Sequence, residues 1–124
     1  MIHPYSPNLV VGGTYSGYLV IWDVRAKSQP IQRTSISQAH SYPIYCLSIV
    51  GTQNAHNIVS VSNNGRLCLW NSEMLNTPQR SIELKITRDH PMCADCIAFP
   101  KQETNNCFIG AEDFNIYHCQ IHTE

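Results

Sequence analysis

The sequence predicts an all-β fold made of successive antiparallel sheets, and three observations carry that expectation. A short pattern recurs three times without gaps: Val10 to Trp22 (VVGGTYSGYLVIW), Ile58 to Trp70 (IVSVSNNGRLCLW) and Cys107 to Cys119 (CFIGAEDFNIYHC). Charged residues make up only 14% of the chain while 43% is hydrophobic. Against a usual charged share of about 25%, that balance points to buried strands rather than solvated helices or disorder. Finally, each copy of the pattern breaks an apolar run with a cluster of turn-forming residues.

The elements follow in order. Leu9-Val10-Val11, Ile58 to Val61 and Phe108-Ile109 are the apolar runs that open each copy. The turns come next, at Tyr15-Ser16-Gly17, Asn63-Asn64-Gly65 and Glu112-Asp113-Phe114, each followed by a strand with alternating side chains. Asn64-Gly65 is the strongest hairpin signal of the three, because both residues tolerate positive φ. Phe114 stands where the other turns have glycine, so the third turn is expected to differ. A further strand precedes the second and third copies, over 44–50 and 94–99, with Cys96 and Ala98 expected to point into the core. His40 and His90 precede these strands, and Phe99-Pro100 has its counterpart in His3-Pro4, so the chain is expected to begin at the tail of a strand. No helix is expected; the stretch 72–84 is too rich in proline and turn residues.

A tryptophan closing the third strand of a four-stranded unit, with a histidine before the first, is the pattern of a WD-repeat β-propeller blade. Trp22-Asp23 matches in full, and Trp70-Asn71 nearly so. Propeller blades of this kind use a buried polar relay of histidine, hydroxyl, turn aspartate and tryptophan. Carried over by position, the second repeat supplies His40, Ser62, Asn64 and Trp70, with Ala39-His40 for Gly-His and Asn64 for aspartate. The first keeps Thr14, Ser16 and Trp22. The third keeps His90 and Asp113 but has Ala111 and Cys119, so its relay is broken. About two and a half four-stranded antiparallel blades are expected: 1–39 ends one blade with its outer strand, 40–89 forms the second, and 90–124 a degenerate third. Propellers close with about 4–8 blades. An incomplete ring leaves sheet faces and edges uncovered, so the chain is expected to be a fragment that aggregates when expressed alone.

Two stretches resemble more than a generic blade. Asn8 to Gly17 (NLVVGGTYSG) and Val50 to Asn57 (VGTQNAHN) are similar to segments of dynein intermediate chains of the cytoplasmic class. PIQRT at 30–34, Ala39-His40, PIYC at 43–46, Asn64 to Trp70 and SEMLNTPQ at 72–79 fit the same family in order, and the likeness weakens after Glu83. The resemblance implies part of the C-terminal propeller of a non-catalytic motor subunit. In that family the propeller binds the dynein heavy chain. A further segment, absent here, binds light chains and dynactin. Microtubule-based transport in the cytoplasm, on the cytoskeleton, is the implied setting. The alternative is a generic WD-repeat adaptor unrelated to dynein, for example in ubiquitin ligation or signalling.

Other chemistry has little footing. Net charge is −1 with scattered lysines and arginines, which leaves no basic stripe for nucleic acid. No apolar run approaches the ~20 residues that span a bilayer, and no signal-peptide pattern opens the chain. The six cysteines, at 46, 68, 93, 96, 107 and 119, read as buried thiols in a reducing compartment. His90, Cys93 and Cys96, with His118, Cys119 and His122 near them in the repeat alignment, have zinc-like spacing. The strand, relay and tryptophan positions account for these residues without a metal, and a small metal-binding domain is the third reading. No phosphate loop, nucleophile elbow or thioredoxin-like setting for Cys93-x-x-Cys96 occurs. His56 and Asn54 are placed in a loop. Neither a catalytic residue nor a cofactor is expected.

Overall fold

The computed structural model describes residues 1, 3–5, 8–25, 32–34, 39–40, 42–52, 55–71, 75, 77–87, 90–91, 94–100, 106–111 and 115–120; of residues 52, 55, 85–87, 90–91 and 94–95 it describes the backbone. Every regular element among them is a strand. The first sheet runs β1 (Leu9–Gly13), β2 (Leu19–Asp23) and β3 (Gln32–Arg33), each antiparallel to the next. The second has four strands in simple order, β4 (Ile44–Thr52), β5 (Ala55–Ser62), β6 (Arg66–Trp70) and β7 (Arg80–Glu83). A small hairpin joins β8 (Lys85–Thr87) to β9 (His90–Pro91). The last sheet is β10 (Ala94–Ala98), β11 (Asn106–Ala111) and β12 (Ile116–Gln120).

The repeat alignment is also a register. Val10 pairs with Trp22, Ile58 with Trp70 and Cys107 with Cys119, so the ends of the three sequence patterns are cross-strand partners in all three sheets. The hairpin turns set that register. Gly17 and Gly65 take φ of 92° and 90°, a left-handed conformation that glycine adopts without a Cβ penalty. On the outer side of β1, away from β2, Met1 and His3 hydrogen-bond to its backbone. The Met1 ammonium donates to Val11 O at 2.6 Å, Val11 N–H donates to Met1 O at 2.8 Å, and His3 N–H donates to Leu9 O at 3.0 Å.

The middle sheet is buried on both faces, and the pleat divides its side chains between two cores. Ile58, Cys68 and Trp70 pack with Val11, Leu19 and Ile21 of the first sheet. Their sequence neighbours Val59, Leu67 and Leu69 pack with Cys107 and Ile109 of the last. Two-sided burial is why β6 reads Leu-Cys-Leu-Trp with no polar alternation. Each fully buried Leu, Ile or Val contributes about 1.5–3 kcal/mol over its exposed state. β4 touches both β1 and β10 and holds the three sheets in sequence.

Three expectations need correction. Cys96 and Ala98 point outward and are exposed; Ile97 and Phe99 pack on the core instead. A register shift between Ala94 and Cys96 resets the alternation, and it turns the bulkier pair inward. His56 lies within β5, paired with Gly51, rather than in a loop. Lastly, β8 and β9 form a hairpin where no separate sheet was expected.

Candidate functional site

The face of the middle sheet that packs on the first sheet carries the polar relay. Trp70 is wholly buried and donates its indole N–H to Ser60 Oγ at 2.8 Å. The same oxygen lies 2.8 Å from His40 Nε2, and all three residues are buried. A buried indole N–H without an acceptor would cost about 1–3 kcal/mol. Ser60 removes that cost and can pass its own proton toward the imidazole. His40 is held in place through its backbone: its N–H donates to Gly17 O at 3.0 Å. Arg66 reaches past it to donate to Ala39 O at 3.1 Å and to Ser81 Oγ at 3.1 Å. Burial, reinforced by the Arg66 charge, lowers the His40 pKa to about 4, so the ring is neutral near pH 7.

The hydroxyl in this relay is Ser60, whereas the sequence pattern named Ser62. Ser62 is also buried, but its Oγ donates to Asn64 Oδ1 within the β5–β6 turn. The four residues His40, Ser62, Asn64 and Trp70 are thus divided between two local networks, and among the described residues His40 Nδ1 has no hydrogen-bond partner. Register explains the division. Ser60 stands opposite Cys68, diagonal to Trp70, whereas Ser62 stands four residues from Trp70 along the strand, about 13 Å away at a β rise of ~3.3 Å per residue.

Among the described residues the first sheet has no such relay. Gly12 holds the position of Ser60, and a Cβ there would lie 2.9 Å from Trp22 Cζ3, so the indole lies directly on the backbone. Thr14 instead closes its turn, its Oγ1 accepting from Tyr18 N–H at 3.0 Å, and Ser16 is exposed. Asp23 pairs with Arg25, at 3.1 Å to Nε and 2.8 Å to Nη2, which holds its carboxyl down at about 2. In the last sheet Ile109 takes the position of Ser60 and is fully buried. The His90 side chain and Asp113 lie outside the described residues.

A second group of rings joins the start of the chain to the middle sheet. His3, Tyr5 and His56 cluster, the two histidines edge to face with centroids 4.7 Å apart and Tyr5 tilted against His56 at 5.1 Å. Tyr5 OH donates to Gly51 O at 2.6 Å, and His3 Nδ1 accepts from Tyr5 N–H at 3.1 Å. Burial, and secondarily the neighbouring His56, lower the His3 pKa. Of the zinc-like constellation, Cys93, His122 and the side chain of His90 lie outside the described residues. Among the described residues, no three His, Cys, Asp or Glu side chains converge as a metal would need. No helix among them is long and apolar enough to cross a membrane.

Over 120 residues, 95% of this chain, the sequence is 47% identical to the cytoplasmic dynein 1 intermediate chain of Drosophila melanogaster. The match takes in 18% of that protein, so the chain spans about a fifth of its relative's length. In fold the chain matches the β-propeller domain of Cps50 (Swd1) from Myceliophteria thermophila, with a TM-score of 0.76 over 99% of this chain and 35% of that one. At 13% identity that likeness speaks for the fold alone. No family model matches the chain. The chain is thus a homologue of the dynein intermediate chains of the cytoplasmic class, and its sheets are blades of a partial β-propeller.

Proposed function

We propose that the chain serves as a non-catalytic scaffold segment of a cytoplasmic dynein motor complex, its blades contributing to a propeller that binds the dynein heavy chain. The observation that carries this reading is the 47% identity sustained along nearly the whole chain. That is far above the 13% at which the Cps50 propeller keeps the same fold, and so beyond what a shared blade architecture requires. The residues themselves favour a scaffold. Their buried polar groups, His40, Ser60 and Trp70, hydrogen-bond to one another and sit between two sheets rather than in an open cleft. The working location is the cytoplasm, on microtubules through the motor. On this reading the blades divide as 1–39, 40–89 and 90–124. Light chains and dynactin are further members of the same assembly, engaged by other parts of it.

Affinity capture of the tagged chain from cell extract tests the proposal. Recovery of dynein heavy chain above an unrelated propeller control is the expected result. A folded chain that recovers no heavy chain would overturn it in favour of a generic propeller adaptor.

A further inference from the structure

The last sheet places two thiols side by side. Cys107 on β11 and Cys119 on β12 are direct cross-strand partners, so their side chains share one face of the sheet. The parity of the ladder follows from the turn. Ala111 N–H donates to Asn115 O at 3.1 Å, and no bulge interrupts the pairing down to Cys107. The pair 107/119 is therefore a hydrogen-bonded one, with Cα atoms about 5.5 Å apart, within the span of ~4.4–6.8 Å that a disulfide bridges. The two thiols differ in access: Cys107 is fully buried and Cys119 only partly so.

We propose that Cys119 and Cys107 form a peroxide-oxidised dithiol, with the accessible Cys119 attacking first and the buried Cys107 resolving it into a cross-strand disulfide. The electronic bias runs the same way. The adjoining Cys107 thiol lowers the Cys119 pKa, while the Cys119 neighbour and burial push the Cys107 thiol up. A partly exposed thiol with a lowered pKa, next to a second thiol, is the setting of reactive cysteines. In the first step the Cys119 thiolate attacks one oxygen of hydrogen peroxide. The O–O bond breaks, hydroxide leaves, and Cys119 becomes a sulfenic acid. In the second, Cys107 sulfur attacks Cys119 sulfur, the S–O bond breaks, and the Cys107 proton leaves with the oxygen as water. Overall two thiols lose two electrons and one peroxide becomes two waters. The new bond staples β12 to β11.

The test uses the intact chain with stoichiometric hydrogen peroxide at neutral pH, read by mass spectrometry of peptides. The exposed Cys96 on β10 serves as the internal reference. The expected product is a peptide pair linked through Cys107 and Cys119, with Cys119 oxidised about fivefold faster than Cys96. Cys107→Ser should stop at a Cys119 sulfenic acid that a cyclic dione traps, and Cys119→Ser should abolish the linked peptide. The same treatment of the wild-type chain in guanidinium covers the case of a variant that does not fold, and there the preference should vanish. Oxidation of Cys119 no faster than Cys96, or a linked pair that forms equally well in the unfolded chain, would overturn the proposal.

Discussion

The indole N–H of Trp70 donates to Ser60 Oγ at 2.8 Å, and both side chains are wholly shut off from solvent. Ser60 thereby joins the largest buried side chain of the middle sheet to His40 in the connection that enters it. Ser60→Ala leaves the indole N–H without its acceptor and His40 Nε2 without its partner. The expected loss is about 1–3 kcal/mol of unfolding free energy, measured by urea titration. Ser62→Ala should cost less, since it leaves the Trp70–Ser60–His40 contacts intact. Equal losses would show that the two serines share one network.

Acid should loosen this same interface. An unfolded histidine titrates near 6.5, whereas His40 in the fold titrates at about 4, and His3 is lowered too. Between those values the unfolded chain binds more protons than the folded one, so stability falls as pH drops from about 6.5 toward 4 and levels off below. Burial and the Arg66 guanidinium oppose the charge on His40, and burial and His56 oppose it on His3. The His40 part is worth on the order of 3 kcal/mol. Urea midpoints across that range should shift in His40-containing chain and flatten in His40→Gln; an unchanged slope in the variant would remove His40 from the account.

Gly17 is the third sensitive point. Its φ is +92°, and a Cβ there would sit 2.0 Å from the carbonyl oxygen of His40. Gly17→Ala must therefore both strain its own backbone, by about 1–3 kcal/mol, and push away the segment that carries the relay histidine. We expect a loss larger than the strain alone, visible as a lowered Tm. Gly12→Ala tests the tight contact with Trp22 by itself, because Gly12 lacks a positive φ. It should cost less than Gly17→Ala.

Much of the fold can be read from the residues because the pleat and the turns leave a periodic mark. The three-fold pattern predicts three equivalent hairpins, and the pairs Val10–Trp22, Ile58–Trp70 and Cys107–Cys119 share one register position. The relay hydroxyl was missed for a physical reason. Ser60 and Ser62 point to the same face, so alternation cannot separate them. The signal that does so is the three-residue turn at 63–65, which puts residue 58 opposite Trp70 and residue 60 on its diagonal. Cys96 was misjudged because a bulge changes facing without changing composition. β7 carries a partly buried, partly exposed alternation with only one large apolar residue, Ile82, and so leaves little trace in hydropathy.

The proposed role is tested most directly by exchange. In a Drosophila melanogaster cytoplasmic dynein 1 intermediate chain, the stretch matching this chain is replaced by the corresponding residues of it, and binding to the dynein heavy chain is measured by co-purification. The account predicts that the chimera binds heavy chain like the parent and that Ser60→Ala within it weakens binding only as far as it unfolds the blade. A chimera that is folded and soluble yet fails to co-purify with the heavy chain would contradict it.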